Sequence, residues 1–169
     1  YICYDMAMAL KNISLLKNVL HMSRFDFLTG VHNRNYYKEA INNILNDSKG
    51  KKSIFTICGI DLNNFKFIND TYGHDEGDKI LIKFAETFKN GIGSDGILGR
   101  TGGDEFSAIF PNKSIKDATQ IINRISEELK GTVSFAFGLS EFPNDSDDMD
   151  ELIKIADRRM YEKKKTMKS

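Results

Sequence analysis

The stretch Arg100-Thr101-Gly102-Gly103-Asp104-Glu105-Phe106 decides the fold of this chain, because it joins two short apolar runs, residues 97–98 and 106–110. A Gly-Gly pair between strand-like runs predicts a tight β-hairpin in which both glycines take positive φ. Two carboxylates start the returning strand, and the alternation of side chains along a strand points them to opposite faces of the sheet. On its own, such a stretch is typical of an ordinary acidic hairpin tip, so its meaning depends on the elements around it.

The elements from residue 53 onward follow the order strand, helix, hairpin of two strands, helix, strand, helix. Residues 53–60 form a nearly continuous apolar run, which is typical of a central buried strand, and the run stops at Asp61. Apolar residues spaced three and four apart predict the helices, with Ser114 as an N-cap. This βαββαβ order predicts an α+β fold of two layers, with a ferredoxin-like core, a mainly antiparallel sheet and flanking helices.

The remaining boundaries come from caps, turns and polar runs. Asn33 is a candidate N-cap for a helix that reaches residue 45. The pattern predicts a loop over residues 47–52, a flexible connection over 91–96, a strand over 132–139 and a last helix from about residue 148.

The predicted topology brings Asp61 together with Asp104. It places the first strand centrally, beside the strand that begins at Asp104, so both carboxylates lie at one end of the sheet. Paired carboxylates suit Mg²⁺ or Mn²⁺, and two such ions about 3.5–4 Å apart can hold a triphosphate and stabilise a departing pyrophosphate. The backbone N–H groups of residues 62–66 are a candidate phosphate cradle.

Composition limits the class of protein. The chain has 169 residues, enough for one domain with a real core, and it carries 24 basic and 24 acidic residues. This balance leaves no overall field to recruit nucleic acid or an anionic membrane, so we expect neither as a partner of this fragment. Cys58 lies in an apolar run and is expected to be a reduced core residue in a cytoplasmic protein. No P-loop motif or serine–histidine arrangement is present.

Residues 1–24 predict a helix with two alternative roles. A heptad-like spacing indicates either an amphipathic helix packed on its own domain or the end of a coiled-coil stalk that pairs two chains, and the sequence favours neither. We expect the chain to be part of a longer protein, with an upstream sensor domain and any membrane anchor before this helix. The apolar positions are Met6, Ala9, Ile13, Leu16 and Leu20.

Residues 102–106 form the signature of the GGDEF family of diguanylate cyclases, and the chain resembles that family over about residues 25–168. Several further blocks agree in the same order, which makes the resemblance highly specific. They are Asp26-Phe27-Leu28-Thr29-Gly30, Asn33-Arg34, Asp61 with Phe65-Lys66, Asn69-Asp70, Gly73-His74, Gly77-Asp78, and Ala156-Asp157 with Tyr161 and Lys164.

The resemblance implies that the chain makes cyclic di-GMP from two GTP molecules, each bound to one domain of a transient antiparallel homodimer. It implies two Mg²⁺ or Mn²⁺ ions per active site, held by Asp61, Asp104 and the Leu62 carbonyl. Glu105 is implied as a further metal ligand or as the group that helps activate the 3′-hydroxyl. Asp61, Asp104 and Glu105 are therefore the expected catalytic residues.

Substrate-binding roles follow from the same resemblance. Asn69 and Asp78 are implied to read guanine, and a carboxylate suits guanine because adenine has no N1–H to donate. Lys164 is implied to meet the terminal phosphates, where a point charge suffices. Phe65, Lys66 and Lys168 complete the expected substrate-binding set.

Three departures from the family pattern affect these expectations. Asn63 stands where many members have a second acid, and Lys168 stands where an arginine often grips the phosphates. Losing a bidentate guanidinium there weakens phosphate binding. Gly93 and Gly96 replace the Arg and Asp of the product-inhibition motif, so we expect no feedback inhibition through that site.

Two alternatives to an active cyclase remain at the level of sequence. One is a weak or inactive GGDEF module that binds GTP or cyclic di-GMP and regulates a neighbouring domain. The other is a ferredoxin-like interaction domain without nucleotide. The presence of all the expected carboxylates favours the enzyme, because a non-catalytic domain does not need them.

Overall fold

The computed structural model describes residues 6–13, 19 and 24–166. The elements beyond residue 31 are, in chain order, β1 (His32–Asn33), α1 (Arg34–Lys51), β2 (Phe55–Leu62), α2 (Phe65–Tyr72), α3 (His74–Ile92), a 3₁₀ turn (Gly93–Asp95), β3 (Ile97–Arg100), β4 (Glu105–Pro111), α4 (Ile115–Glu128), β5 (Phe135–Phe142) and α5 (Met149–Thr166). No helix among the described residues has the length and apolarity needed to cross a membrane.

The sheet has five strands in the order β1-β3-β4-β2-β5. β2 lies between β4 and β5 and is antiparallel to both, and β3 and β4 form the hairpin. This arrangement confirms the predicted α+β core with a central first strand. The two-residue β1, which pairs parallel with β3 at the edge, was not predicted, because two residues carry no alternating pattern.

Each face of the sheet is covered by its own pair of helices. Cys58 and Ile60 of β2 belong to a buried cluster with side chains of α3 and α4. Phe55 and Ile57 belong to a second cluster with side chains of α1 and α5. The strand alternation therefore divides a continuous apolar run between two cores, and Cys58 is a fully buried free cysteine as predicted.

Helix α5 lies directly on the backbone of the sheet. Gly138 of β5 is paired with Gly59 of β2 beneath it. A Cβ at Gly138 would come within 2.1 Å of the Ala156 carbonyl oxygen and 2.2 Å of the Met160 nitrogen. The two glycines thus leave room for residues 156–160 of α5 to lie directly against the strands.

Two predicted connections are wrong in part. Residues 47–51, predicted as a loop, form the last turn of α1 because Leu45 and Ser48 are buried and extend its packed face. The connection over residues 91–96 is also more regular than predicted, since α3 continues through Ile92 and a 3₁₀ turn reaches Asp95.

The described part of the N-terminal segment is helical and exposed. Residues 6–13 are helical, as predicted, and all of them are exposed, so this segment does not pack on its own domain. Residues 1–5, 14–18 and 20–23 lie outside the described residues, together with Leu16 and Leu20 of the predicted heptad pattern. The coiled-coil stalk therefore stays a prediction.

Candidate active site

Asp61 and Glu105 are paired at one end of the sheet, and Asp104 precedes Glu105 in the adjoining turn. Asp61, near the end of β2, is the direct cross-strand partner of Glu105 at the start of β4. The Leu62 N–H donates to the backbone oxygen of Asp104 at 3.2 Å, which holds the hairpin against β2. Directly paired residues of antiparallel strands project to the same face, so Asp61 and Glu105 share one face of the sheet.

The turn that carries these acids differs from the predicted one. Four residues, 101–104, connect β3 and β4, and the N–H groups of Thr101 and Gly102 donate to the Glu105 carbonyl at 3.0 and 3.2 Å. Neither Gly102 nor Gly103 has a positive φ, so the expectation of positive φ at the Gly-Gly pair is wrong. Gly102 is needed for space instead, since a Cβ there would come within 2.6 Å of a Glu105 carboxylate oxygen.

Arg100 anchors this turn, a role that the sequence analysis missed. Its Nε and Nη2 donate to the Gly103 carbonyl at 3.1 and 2.7 Å, and its Nη1 donates to Asp26 Oδ1 at 3.0 Å. The same Asp26 oxygen accepts from the Thr29 N–H at 2.9 Å and the Thr29 hydroxyl at 2.6 Å. The Asp-x-x-Thr spacing signals only the local turn that Asp26 closes with Thr29, and nothing in it points to Arg100.

We expect the Asp26→Asn variant to lose about 1–2 kcal/mol of unfolding free energy at pH 7, because it removes a charge-assisted hydrogen bond. Burial raises the pKa of Asp26, but the hydrogen bonds from Thr29 and Arg100 outweigh it and hold the pKa below its ordinary value. The carboxylate therefore stabilises the folded state above about pH 4, and this contribution disappears as the pH falls through the lowered pKa.

Urea unfolding of wild type and Asp26→Asn at pH 7 and pH 3 checks this expectation. The difference between the two proteins should be largest at pH 7 and smaller at pH 3, because pH 3 lies below the ordinary pKa of aspartate and the stabilisation is lost progressively as the pH falls through the lowered pKa of Asp26. An equal difference at both pH values would show that the charge of Asp26 does not support the fold.

The last turn of α5 brings Lys164 to Asp61. The Lys164 ammonium donates a hydrogen bond to Asp61 Oδ1, and the two side chains are 22% and 15% exposed. The expected phosphate-binding lysine therefore lies on an expected metal ligand. Lys168, the other phosphate candidate on this helix, lies outside the described residues.

Asn69 and Asp78 lie where α2 meets α3. Asn69 Oδ1 is buried, and among the described residues no hydrogen-bond donor reaches it. Its amide lies against Gly77, where a Cβ would come within 1.9 Å of Asn69 Oδ1 and 3.3 Å of the Phe65 ring. Asp78, the next residue, is exposed. A buried carbonyl oxygen without a donor is costly, so a ligand N–H is a suitable partner for it.

The expected phosphate cradle is smaller than predicted. The N–H groups of Leu62 and Asn63 donate to the carbonyls of Asp104 and Ser134, so they are already used. Asn64 follows with a left-handed φ of 57° and starts α2 without a side-chain cap. The first N–H groups of α2, with the exposed Lys66 beside them, are the part of the cradle that can bind phosphate oxygens.

The model of the family described as "Diguanylate cyclase, GGDEF domain" matches residues 23–169. This chain belongs to the GGDEF family. It is 32% identical over 166 residues to "Uncharacterized protein YhcK" of Bacillus subtilis and 30% identical over 157 residues to "Diguanylate cyclase DgcP" of Escherichia coli. These matches cover 90% and 87% of this chain but 46% of each relative, so the chain spans about half of their length.

The fold of this GGDEF domain also matches solved structures. The coiled coil and GGDEF domain of DgcB from Caulobacter crescentus, in complex with c-di-GMP, aligns with a TM-score of 0.87 at 21% identity. The alignment covers 98% of this chain and 93% of that chain. At this identity the likeness supports the fold alone.

The oxygen donors at the acidic end of the GGDEF domain, where Asp61 and Glu105 are paired, are of the kind that suits Mg²⁺. Carboxylate and carbonyl oxygens are the donors that Mg²⁺ prefers. Within residues 24–166 and the described part of the N-terminal helix, no three His, Cys, Asp or Glu side chains form a ready metal cluster. This agrees with the usual coordination of Mg²⁺, which keeps waters and uses one or two carboxylates together with substrate phosphates.

Two cavities flank the hairpin of the GGDEF domain. One cavity, of about 490 Å³, lies between α1 and α5 and is lined by Glu105 and Asp157 among others. Burial raises the pKa of Asp157. The other, of about 220 Å³, is lined by Gly93 and Gly96, where the product-inhibition side chains are missing, together with His32 and Lys89. The expected absence of feedback at this second cavity stays a prediction.

Proposed function

We propose that this GGDEF domain is the output domain of a diguanylate cyclase, condensing two GTP molecules into cyclic di-GMP and two pyrophosphates. The observation that carries the proposal is the cross-strand pair of Asp61 and Glu105 at one end of the sheet, with the Asp104 backbone bonded to Leu62 beside it. A non-catalytic nucleotide-binding domain does not need this set of carboxylates. Membership of the family supports the same activity.

The reaction forms two phosphodiester bonds. In each, the 3′-hydroxyl oxygen of one GTP attacks the α-phosphorus of the other, the hydroxyl proton is released, and pyrophosphate leaves. Asp61, Asp104 and the Leu62 carbonyl would hold two Mg²⁺ or Mn²⁺ ions, which when bound neutralise phosphate charge and make the hydroxyl more acidic. Glu105, on the same face as Asp61, is placed to ligate a metal or to accept the hydroxyl proton.

Substrate selection is assigned to the other expected residues. Asn69 Oδ1 lacks a donor among the described residues, and the N–H groups of guanine would satisfy it. Asp78 is the second guanine reader, and it disfavours adenine, which has no N1–H. The Phe65 ring lies against the same turn. Lys66, Lys164 and Lys168 supply positive charge for the triphosphate.

Two copies of the domain are required, because each holds one GTP and therefore half of the reacting pair. The homodimer brings the two half-sites face to face, and the N-terminal helix would connect each copy to an upstream sensor that sets their geometry. Positioning and charge neutralisation supply most of the rate enhancement in such a reaction. We place the reaction in the cytoplasm, where GTP is available.

The test is incubation of the purified 169-residue chain with GTP and Mg²⁺, with nucleotides resolved by chromatography. We expect cyclic di-GMP, formed at a rate per protein that rises with protein concentration, since mass action favours the dimer. No product at concentrations that force dimers would move the assignment to a regulatory module that binds GTP or cyclic di-GMP. A rate per protein that stays flat on dilution of a monomeric sample would contradict two half-sites.

A further inference from the structure

The ion pair between Lys164 and Asp61 joins two groups that are expected to bind different parts of one ligand. Asp61 is an expected metal ligand, and Lys164 is expected to meet phosphate. In the structure the ammonium lies on the carboxylate instead. With exposures of only 22% and 15%, the side chains are partly shielded from water, so their attraction is stronger than that of an exposed surface pair.

The packing of α5 on the sheet places Lys164 next to Asp61. The close contact of α5 with Gly138 fixes the helix on the sheet. In the same last turn, the Lys163 ammonium lies 3.7 Å from the centre of the Phe137 ring, on the strand next to Asp61. The contact between Lys164 and Asp61 therefore belongs to the packed domain.

The acidic site is also incomplete without a further ligand. The described residues provide no cluster of three acidic, histidine or cysteine ligands. A divalent cation that approaches the nucleotide-free protein meets an Asp61 whose charge is already balanced by Lys164. It would have to displace the ammonium while gaining few protein ligands in return.

We propose that Lys164 is a built-in counter-ion that blocks Asp61 to divalent cations until a nucleoside triphosphate arrives. The phosphate oxygens attract the ammonium away from the carboxylate, so the metal and the triphosphate enter as one ligand. This inference rests on the proposed function and adds an order of binding to it. By linkage, the factor by which the triphosphate improves metal binding equals the factor by which the metal improves triphosphate binding.

Mn²⁺ binding to the nucleotide-free protein tests the proposal, measured by electron paramagnetic resonance as loss of the free-ion signal. We expect wild type to bind Mn²⁺ weakly. Lys164→Met should bind it about tenfold more tightly, because Asp61 then has no ammonium partner that the cation must displace. Methionine keeps the apolar stem and adds no oxygen ligand. Lys164→Arg keeps the charge and should stay close to wild type.

Two further variants make the result specific. Lys163→Met removes the same charge one residue away, from the ring of Phe137, and should leave Mn²⁺ binding within twofold of wild type. Adding Asp61→Asn to Lys164→Met should abolish the gain, because the gain depends on that carboxylate. Thermal unfolding by circular dichroism confirms that each variant is folded.

The proposal is overturned if Lys164→Met binds Mn²⁺ no more tightly than wild type, whether both bind tightly or neither binds. It is also overturned if Lys163→Met gains as much, or if the gain survives Asp61→Asn. Failure of the proposed function is seen separately, as the absence of cyclic di-GMP when wild type is incubated with GTP and Mg²⁺.

Discussion

Cyclic di-GMP synthesis is expected to fall by about a thousandfold or more when Asp104 is replaced by asparagine. The amide has the shape of the carboxylate but lacks the negative charge that holds a cation beside developing phosphate charge. The backbone bond from Leu62 to Asp104 does not involve the side chain, so the hairpin should keep its place. The measurement is product formation at saturating GTP and Mg²⁺, followed by chromatography.

Asp95→Asn is the matched control for this change. Asp95 lies in the 3₁₀ turn before β3, where its carboxylate forms a half-exposed ion pair with Lys113 at 3.1 Å. The same chemical change there should leave turnover within about twofold of wild type, because surface substitutions have small effects. A wild-type rate for Asp104→Asn would show that the metal assignment is wrong.

Gly138→Ala should lower the free energy of unfolding by about 3 kcal/mol, near the upper end of the usual cost of overpacking. The new Cβ would lie 2.1 Å from the Ala156 oxygen and 2.2 Å from the Met160 nitrogen. Both are backbone atoms and cannot rotate away, so α5 must move off the sheet. Urea unfolding of wild type and variant gives the difference directly.

Gly50→Ala is the matched control for Gly138→Ala, and it is expected to stabilise the protein where Gly138→Ala destabilises it. Gly50 lies within α1, and a Cβ there would meet no atom within 4 Å. Alanine should therefore stabilise the protein by up to about 1 kcal/mol through its higher helix propensity. If Gly138→Ala were as stable as wild type, the close contact between α5 and the sheet would be absent in solution.

The order of the elements and the meeting of the acids could be predicted, because both follow from patterns that the fold obeys. The apolar run that ends at Asp61 is typical of a buried strand, and the βαββαβ order places that strand beside the returning strand of the hairpin. The predicted neighbour of Asp61 was Asp104, whereas the structure starts the strand one residue later and pairs Asp61 with Glu105. The N-cap at Ser114 could also be predicted, since a cap is formed by residues close in sequence, and the structure adds the reciprocal bond from the Ser114 N–H to Asp117.

Features that depend on contacts distant in sequence could not be predicted. The role of Arg100 requires Asp26, which is 74 residues away in sequence, to lie beside the hairpin. The Gly-Gly pair suggested a turn with positive φ, but at Gly102 the space taken by the Glu105 side chain decides the residue. The length of α1 depends on burial of Ser48, a polar residue that sequence patterns assign to a loop.

The contacts of Arg100 make residues 26–29 part of the support of the β3–β4 hairpin and not a linker. A shortened protein that starts at residue 30 would keep all five strands, yet it would lose the carboxylate that holds Arg100 on the Gly103 carbonyl. Any sensor fused to this domain should therefore be joined before residue 24. Asp26, two residues after that junction, is joined through the Arg100 ion pair to the turn that carries Asp104 and Glu105.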